Sequence, residues 1–188
     1  MLQVVFSSFL LVALSEMGDK TQLLAFSLAA RFKKPRPILA GIFVATVFNH
    51  LLASAFGQWI ATEVNRRTLA IVLAMTFIAF GLWTLKPDTF EESDSKRGWG
   101  PFATTAVLFF LAEMGDKTQL ATVALAAKYG SAVLVTVGTT LGMMFTDGLA
   151  VLLGDRLAQR GHMKWIRWAA ASLFFVFGIS TLLGAIFR

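Results

Sequence analysis

Long apolar stretches alternate with short polar breaks along the chain, and each apolar stretch is long enough to form a membrane helix. A helix needs about 20 mostly apolar residues to cross the hydrocarbon core of a bilayer. The pattern therefore predicts an all-α membrane protein with six transmembrane helices, at about 3–30, 38–60, 68–86, 101–127, 132–154 and 165–187.

An internal repeat runs through these predicted helices. The eight residues Glu-Met-Gly-Asp-Lys-Thr-Gln-Leu occur at 16–23 and again at 113–120, in the first and fourth helices. The offset of 97 residues continues beyond this motif without a gap, so that Gly41 matches Gly138. Further matches at the same offset are Phe48 with Phe145, Ala53 with Ala150, Gly57 with Gly154, Phe77 with Phe174, Phe80 with Phe177 and Gly81 with Gly178.

The repeat divides the chain into two halves of three helices each. We expect a first three-helix repeat at 1–88, a cytoplasmic linker at 89–100 and a second three-helix repeat at 101–188. Because each half has an odd number of spans, the second half is inverted relative to the first. Inverted repeats with a site near the midplane are typical of secondary transporters.

The basic residues predict the orientation of the helices. Cytoplasmic loops of membrane proteins carry an excess of Lys and Arg. One side of the predicted bundle carries Arg31, Lys33, Lys34, Arg36, Lys86, Lys96, Arg97, Arg156, Arg160, Lys164 and Arg167. The opposite side carries Arg66, Arg67, Lys128 and Arg188. We therefore expect a multi-pass protein of the inner membrane with both termini outside the cytoplasm.

Composition agrees with this interpretation and excludes several kinds of site. Of the 188 residues, 56% are hydrophobic and 15% are charged, whereas a soluble domain carries roughly 25% charged residues. With no Cys and two His, the chain offers no disulfide, no Cys-based metal site and no His-rich metal site. The net charge of +6 does not indicate nucleic acid as a partner, because the basic residues lie in short loops. The expected surroundings are the lipid bilayer.

The repeated motif places ionisable residues at membrane depth, where they mark an ion or proton path by default. On a continuous helix Glu16, Asp19 and Lys20 would share one face. The same holds for the equivalent residues Glu113, Asp116 and Lys117. Two facing copies would gather four carboxylates, which suit a hard divalent cation.

The glycine inside each motif adds a second possibility. Gly18 and Gly115 lower the helix propensity, and a local break there would free backbone carbonyls to bind a cation, as in the discontinuous helices of transporters.

Other polar residues near the motifs are candidates for completing the site. Neutral oxygens come from Thr21, Gln22, Thr118 and Gln119, and the second helix of each half contributes Asn49 and Asp147. Asp147 is alternatively a proton relay. Lys20 and Lys117 would balance charge. The structural alternatives are a Glu16–Lys20 salt bridge inside each motif and interhelical hydrogen bonds from Asn49 and Asp147. His50 follows Asn49 and is expected to face elsewhere.

The methionine in each motif bears on the choice of ion. Thioether sulfur is a poor ligand for Ca²⁺ but an acceptable one for a transition metal, so Met17 and Met114 would favour Mn²⁺ over Ca²⁺. The alternative is that both methionines fill gaps in the packing.

Protons and a cation compete for the same carboxylate oxygens, which is the physical basis of cation/proton antiport. A remote alternative is an intramembrane aspartyl protease that uses Asp19 and Asp116. Glu16 and Glu113 stand where the protease pattern has Gly, and the neighbouring lysines would disturb a proton-sharing pair of acids. A channel is a further alternative, but a closed set of carboxylates suits tight binding better than fast permeation.

Two Glu-x-Gly-Asp-Lys-Thr motifs in two three-helix halves resemble the GDT1/TMEM165 family over nearly the whole chain. The resemblance implies a cation exchanger that transports Mn²⁺ or Ca²⁺ in exchange for protons, and no enzymatic activity. Its short prokaryotic members resemble manganese exporters. The family's cation site carries over to Glu16, Asp19, Glu113 and Asp116.

Residue chemistry and resemblance together predict a secondary transporter that exports Mn²⁺ in exchange for protons, with Mn²⁺ as substrate and no cofactor. Many relatives carry Leu at the position of Met17 and Met114, and this departure favours Mn²⁺. The alternatives are a Ca²⁺/H⁺ antiporter and a broad divalent-cation exchanger.

Overall fold

The computed structural model describes residues 1–86, 99–153 and 163–187. In these ranges the chain forms eight α-helices. They are α1 (Leu2–Glu16), α2 (Lys20–Phe32), α3 (Pro35–Glu63), α4 (Arg66–Thr84), α5 (Pro101–Glu113), α6 (Lys117–Tyr129), α7 (Ala132–Leu153) and α8 (Met163–Ile186). The linker predicted at 89–100 lies mostly outside the described residues, as does most of the polar break before α8.

The helices recur in the same order at the offset of 97 residues. α2 and α6 begin at Lys20 and Lys117 and end at Phe32 and Tyr129, so their bounds are equivalent residue by residue. Each of these two helices ends in a residue with left-handed backbone, Lys33 after α2 and Gly130 after α6. The sequence repeat is thus also a repeat of secondary structure.

Four helices are long and apolar enough to span a membrane: α3, α4, α7 and the part of α8 at Trp168–Ile186. A fifth span results if α1 and α2, which meet at a bend of 72°, count as one broken span. α5 is apolar but has 13 residues, fewer than the roughly 20 that a span requires. The protein is therefore an all-helical, multi-pass membrane protein with four to five candidate spans among its described residues.

The helices predicted through the two motifs are broken, and the prediction that Glu16, Asp19 and Lys20 share one helical face is wrong. α1 ends at Glu16, and α2 starts only at Lys20. The equivalent break separates α5 from α6. The physical reason is the glycine in each motif, which takes a left-handed backbone that no α-helix contains.

Contacts between the helices give their relative directions. Thr136 of α7 donates a hydrogen bond to the backbone oxygen of His50, and Gly148 of α7 lies beside Leu39. Later residues of α7 therefore meet earlier residues of α3, and the two helices run antiparallel.

α1 and α7 run parallel, since Gly138 packs against Val5 and Gly142 packs against Phe9. The equivalent pair α5 and α3 is also parallel, because Gly41 packs against Phe102 and the later Gly57 packs against Val123 of α6. α3 therefore runs along α5 and then along α6.

Candidate metal centre

Each motif folds into the same short break between two helices. After α1, Met17 is extended, Gly18 has φ 84°, and Asp19 caps the start of α2. A positive φ of this kind favours glycine, because a Cβ would clash with the backbone. Asp19 caps the helix with its own side chain, whose Oδ1 accepts a hydrogen bond from the Lys20 amide at 2.6 Å.

The second motif repeats this geometry. Met114 is extended, Gly115 has φ 77°, and Asp116 precedes α6. The C-terminus of one helix and the N-terminus of the next therefore meet at each break. The N-terminal end of a helix carries partial positive charge that stabilises a carboxylate, and the C-terminal end carries partial negative charge that stabilises a cation.

The two glutamines of the motifs hold the breaks in place. Gln22 Oε1 accepts a hydrogen bond from the Gly18 amide at 2.8 Å, and Gln119 Oε1 accepts one from the Gly115 amide at 2.7 Å. The structure thus directs both side-chain oxygens to the backbone of the breaks.

Three of the four predicted motif carboxylates come together. Glu16, Asp19 and Asp116 each offer one oxygen, and these oxygens all lie within 4.8 Å of one another. All three residues are buried. Oxygen ligands at 2.3–2.6 Å from one divalent ion lie at most about 5 Å apart, so this donor set fits a single hard cation held between the repeats.

Ion pairs cross between the two motifs. Lys20 Nζ lies 3.4 Å from Asp116 Oδ1, and Lys117 Nζ lies 2.6 Å from Asp19 Oδ2. A salt bridge between Glu16 and Lys20 was the alternative from the sequence, but the lysines reach across to the opposite repeat. Two ammonium groups therefore neutralise much of the charge of the carboxylate cluster.

The two glutamates differ in their hydrogen bonds. Glu16 accepts hydrogen bonds from Thr21 Oγ1 at 2.7 Å and from Thr118 Oγ1. Glu113 is also fully buried, but its two oxygens have no hydrogen-bond partner among the described residues. Glu113 does not belong to the group of three carboxylates.

The polar residues of α3 and α7 occupy different positions around the cluster. Asn49 donates a hydrogen bond to the Phe110 oxygen at 3.1 Å and accepts one from Gln119 at 3.4 Å. Asp147 is fully buried and lacks a hydrogen-bond partner in the described ranges. His50, its equivalent on α3, is buried, and its ring has no hydrogen-bond partner among the residues that the structure describes.

A narrow crevice lies beside the first break, and part of its lining was not predicted from the sequence. Met17 lines it, together with Ser15, Thr84 and Lys86. Met114 in contrast is 56% exposed. Thr84 is the last residue of α4 and Lys86 lies just beyond it, so no spacing along the chain connects them with the motif.

Comparison with known proteins places these features in a family. The family model described as divalent cation/proton antiporter GDT1 matches residues 4–92 and 101–187. The chain is 43% identical over 171 residues to a Vibrio cholerae protein named "Putative manganese exporter", with 90% of this chain and 86% of the relative covered.

More distant relatives come from cyanobacteria and plants. A GDT1-like protein of Synechocystis is 31% identical over 201 residues, with 95% of this chain and 96% of the relative covered. GDT1-like protein 5 of Arabidopsis thaliana is 29% identical over 223 residues, with 97% and 96% covered. No solved structure matches the chain. The protein is therefore a membrane transporter rather than an enzyme, and it belongs to the GDT1 family of divalent cation/proton antiporters.

Proposed function

We propose that the protein exports Mn²⁺ across the inner membrane in exchange for protons. The observation that carries this proposal is the cluster of Glu16, Asp19 and Asp116, whose oxygens lie within 4.8 Å of one another at the junction of the two repeats. The name of the Vibrio cholerae relative supports Mn²⁺ as the substrate.

The proposed architecture is a six-helix inverted repeat in which α5 and α6 form a second broken span, equivalent to α1 and α2. Two observations support it. α3 runs along α5 and then α6 in one direction, and the antiparallel packing of α3 on α7 is what an inverted repeat requires. The repeats at 1–88 and 101–188, the linker at 89–100 and the outward orientation of both termini belong to the same proposal.

The lysines balance charge in the cation-free state. With the three carboxylates ionised, Lys20 and Lys117 reduce the charge of the cluster from −3 to −1 by their ion pairs. A divalent cation on the same oxygens would repel both ammonium groups, because like charges a few ångströms apart in a site of low dielectric interact strongly. Cation binding thus requires the lysines to withdraw.

Protons and the cation compete for the same carboxylates. Glu113 and Asp147 remain in the proposal as acidic groups that take up a proton or the cation during the cycle. Asn49, Thr21, Thr118, Gln22 and Gln119 support the site, the two glutamines by fixing the breaks. Met17 lines the crevice beside the cluster and is the methionine that can influence the choice of ion.

The experiment is transport in proteoliposomes that contain a pH-sensitive dye. Mn²⁺ or Ca²⁺ is added across an imposed proton gradient, with Glu63→Gln as the control because Glu63 is exposed at the end of α3. Proton movement with Mn²⁺ and little with Ca²⁺ is the expected result. Equal movement with both ions would replace the proposal by a broad divalent-cation exchanger, and cation uptake without proton movement would exclude antiport.

A further inference from the structure

α4 and α8 form an antiparallel pair that is symmetric in itself. Gly81 of α4 packs against Phe175 of α8, and Gly178 of α8 packs against Ile78 of α4. These contacts are equivalent at the offset of 97 residues, since Gly81 matches Gly178 and Ile78 matches Phe175. The pair therefore follows the same pseudo-symmetry as the two repeats.

The packing of this pair against the other helices is not symmetric. α4 packs against α6, and α8 packs against α1. The equivalent contacts, of α8 with α2 and of α4 with α5, are marginal at most among the described residues. Other helices do make both equivalent contacts, such as α1 with α7 and α5 with α3. The α4–α8 pair thus packs on the side of the bundle formed by α1 and α6.

Identical residues at equivalent positions of α6 and α2 are buried to different extents, which agrees with this asymmetry. Ala126 and Ala127 of α6 are 0% and 5% exposed. Their equivalents in α2 are also alanines, but Ala29 is half-buried and Ala30 is exposed. The α4–α8 pair covers α6 and leaves α2 less covered.

A lysine in an aromatic cage joins α6 to the pair. Lys128 Nζ lies 4.4 Å from the ring centroid of Phe177 in α8 and 5.6 Å from that of Phe77 in α4. The ring of Tyr129 is 5.9 Å away. A cation over aromatic faces at these distances is attracted by the ring quadrupole, so the cage stabilises the observed packing.

Residues equivalent to those of this cage occur in the other repeat. At the offset of 97 residues, Lys128 matches Arg31, Tyr129 matches Phe32, Phe77 matches Phe174 and Phe177 matches Phe80. The guanidinium of Arg31 already lies 5.2 Å from the centroid of the Phe32 ring. Phe80 and Phe174 pack in the core cluster that contains Leu11 of α1 and Leu125 of α6, and Phe77 and Phe177 of the present cage pack in the same cluster.

The two breaks are covered to different extents in this conformation. Thr84, the last residue of α4, and Lys86, just beyond it, line the crevice at the first break. At the second break, Gly115 is exposed and Met114 is 56% exposed. The end of α4 therefore covers the first break, while the second break is more open.

We propose that the α4–α8 pair is the moving element of transport and swings between two equivalent positions. In the opposite position it packs against α2 and α5, with Arg31 in a cage formed by Phe32, Phe80 and Phe174. The end of α8 then covers the second break, and the first break opens. This inference rests on the proposed function, since a transporter needs two states that expose one site alternately.

Distances between spin labels test the movement, and the absence of Cys from the chain makes labelling specific. One label pair joins α1 to α8 through Phe6→Cys and Ile179→Cys. The equivalent pair joins α5 to α4 through Ala103→Cys and Leu82→Cys. All four positions are exposed, and none lies in the proposed site.

Because α8 packs against α1 while α4 makes at most marginal contact with α5 among the described residues, we expect the α1–α8 distance to be the shorter of the two in the conformation described here. We expect Mn²⁺ or a change of pH to produce a second population in which the two distances exchange their values, as measured by double electron–electron resonance. Labelled protein that transports Mn²⁺ while both distances stay unchanged would overturn the inference. If Mn²⁺ drove no proton movement in the unmodified protein, the proposed antiport would be refuted. An observed exchange of the two distances would still support the movement of the α4–α8 pair.

Two matched substitutions sharpen this test. Lys128→Gln removes the cation from the present cage, and we expect it to shift the population ratio toward the opposite position by roughly 2- to 10-fold. Arg31→Gln removes the cation from the equivalent cage and is expected to shift the ratio the other way. Shifts in the same direction, or no shift in either variant, would contradict the role of the cages.

Discussion

The two motifs are identical over eight residues, yet they occupy different environments. Glu16 accepts two threonine hydroxyls, whereas Glu113 has no hydrogen-bond partner among the described residues. Lys117 is 4% exposed and Lys20 is 31% exposed. Both breaks have the same backbone. The difference teaches that local sequence specifies the break, while the packing around it specifies what each side chain does.

Substitution of the two glutamates is expected to give the largest difference between the motifs, in Mn²⁺ binding and transport. Glu16→Gln should abolish Mn²⁺ binding and transport, because Glu16 belongs to the carboxylate cluster. Glu113→Gln should abolish transport but retain most of the binding in this conformation. Binding is measured by calorimetry on purified protein, and transport is measured in proteoliposomes with Glu63→Gln as control. Full transport activity in either variant would refute the assignment of the site.

The lysines should differ in their contribution to stability. Lys117→Met removes a buried ion pair with Asp19 and should lower the free energy of unfolding by about 3 kcal/mol, because breaking a buried pair by removing one partner is strongly destabilising. Lys20→Met removes a partly exposed partner of Asp116 and should cost about 1 kcal/mol or less. Thermal unfolding in detergent measures both, with the exposed Lys34→Met as control. Equal losses would show that the two ion pairs are equivalent.

The glycines should behave alike, because they test the local break and not its surroundings. Gly18→Ala and Gly115→Ala place a Cβ on left-handed backbone, at a cost of about 1–2 kcal/mol each. Both variants should lose stability by similar amounts and transport more slowly. Gly100→Ala is the matched control, because Gly100 has φ −65° and open space around it. If Gly115→Ala changed neither stability nor transport, the left-handed backbone of the second break would not be required for transport.

The smallest effect is expected from the methionines, and it concerns selectivity. Met17 lines the crevice next to the cluster, so Met17→Leu should reduce the preference for Mn²⁺ over Ca²⁺ by a few-fold, on the order of 1 kcal/mol of sulfur–metal interaction. Met114 is 56% exposed, and Met114→Leu should change nothing. The check is transport of Mn²⁺ in competition with Ca²⁺. Unchanged discrimination in the double variant would exclude both sulfurs from ion selection.

Much of the fold follows from the sequence. The lengths of the apolar stretches predict the long helices α3, α4, α7 and α8, because a span requires a fixed number of residues. The glycine in each motif indicates the breaks. The sequence could not decide that α1 and α2 meet at 72°, since the angle depends on what each half-helix packs against.

The candidate site was predictable in its chemistry and only partly in its geometry. Four motif carboxylates were expected to gather, and the structure brings Glu16, Asp19 and Asp116 together without Glu113. The crossed ion pairs were not expected, because a continuous helix would have placed Lys20 beside Glu16. Thr84 and Lys86 were not found at all, since they reach the first break through tertiary packing.

By itself, the sequence determined the class of protein, the repeat, the chemistry of the motifs and the family, because these depend on composition and on neighbours within a few residues. Tertiary structure decided which carboxylates come together, which lysine is buried and which helices the α4–α8 pair packs against. Two identical motifs have identical local preferences, so only contacts from distant helices can make them different. Those contacts give the two motifs different surroundings, although the residues of the motifs are the same.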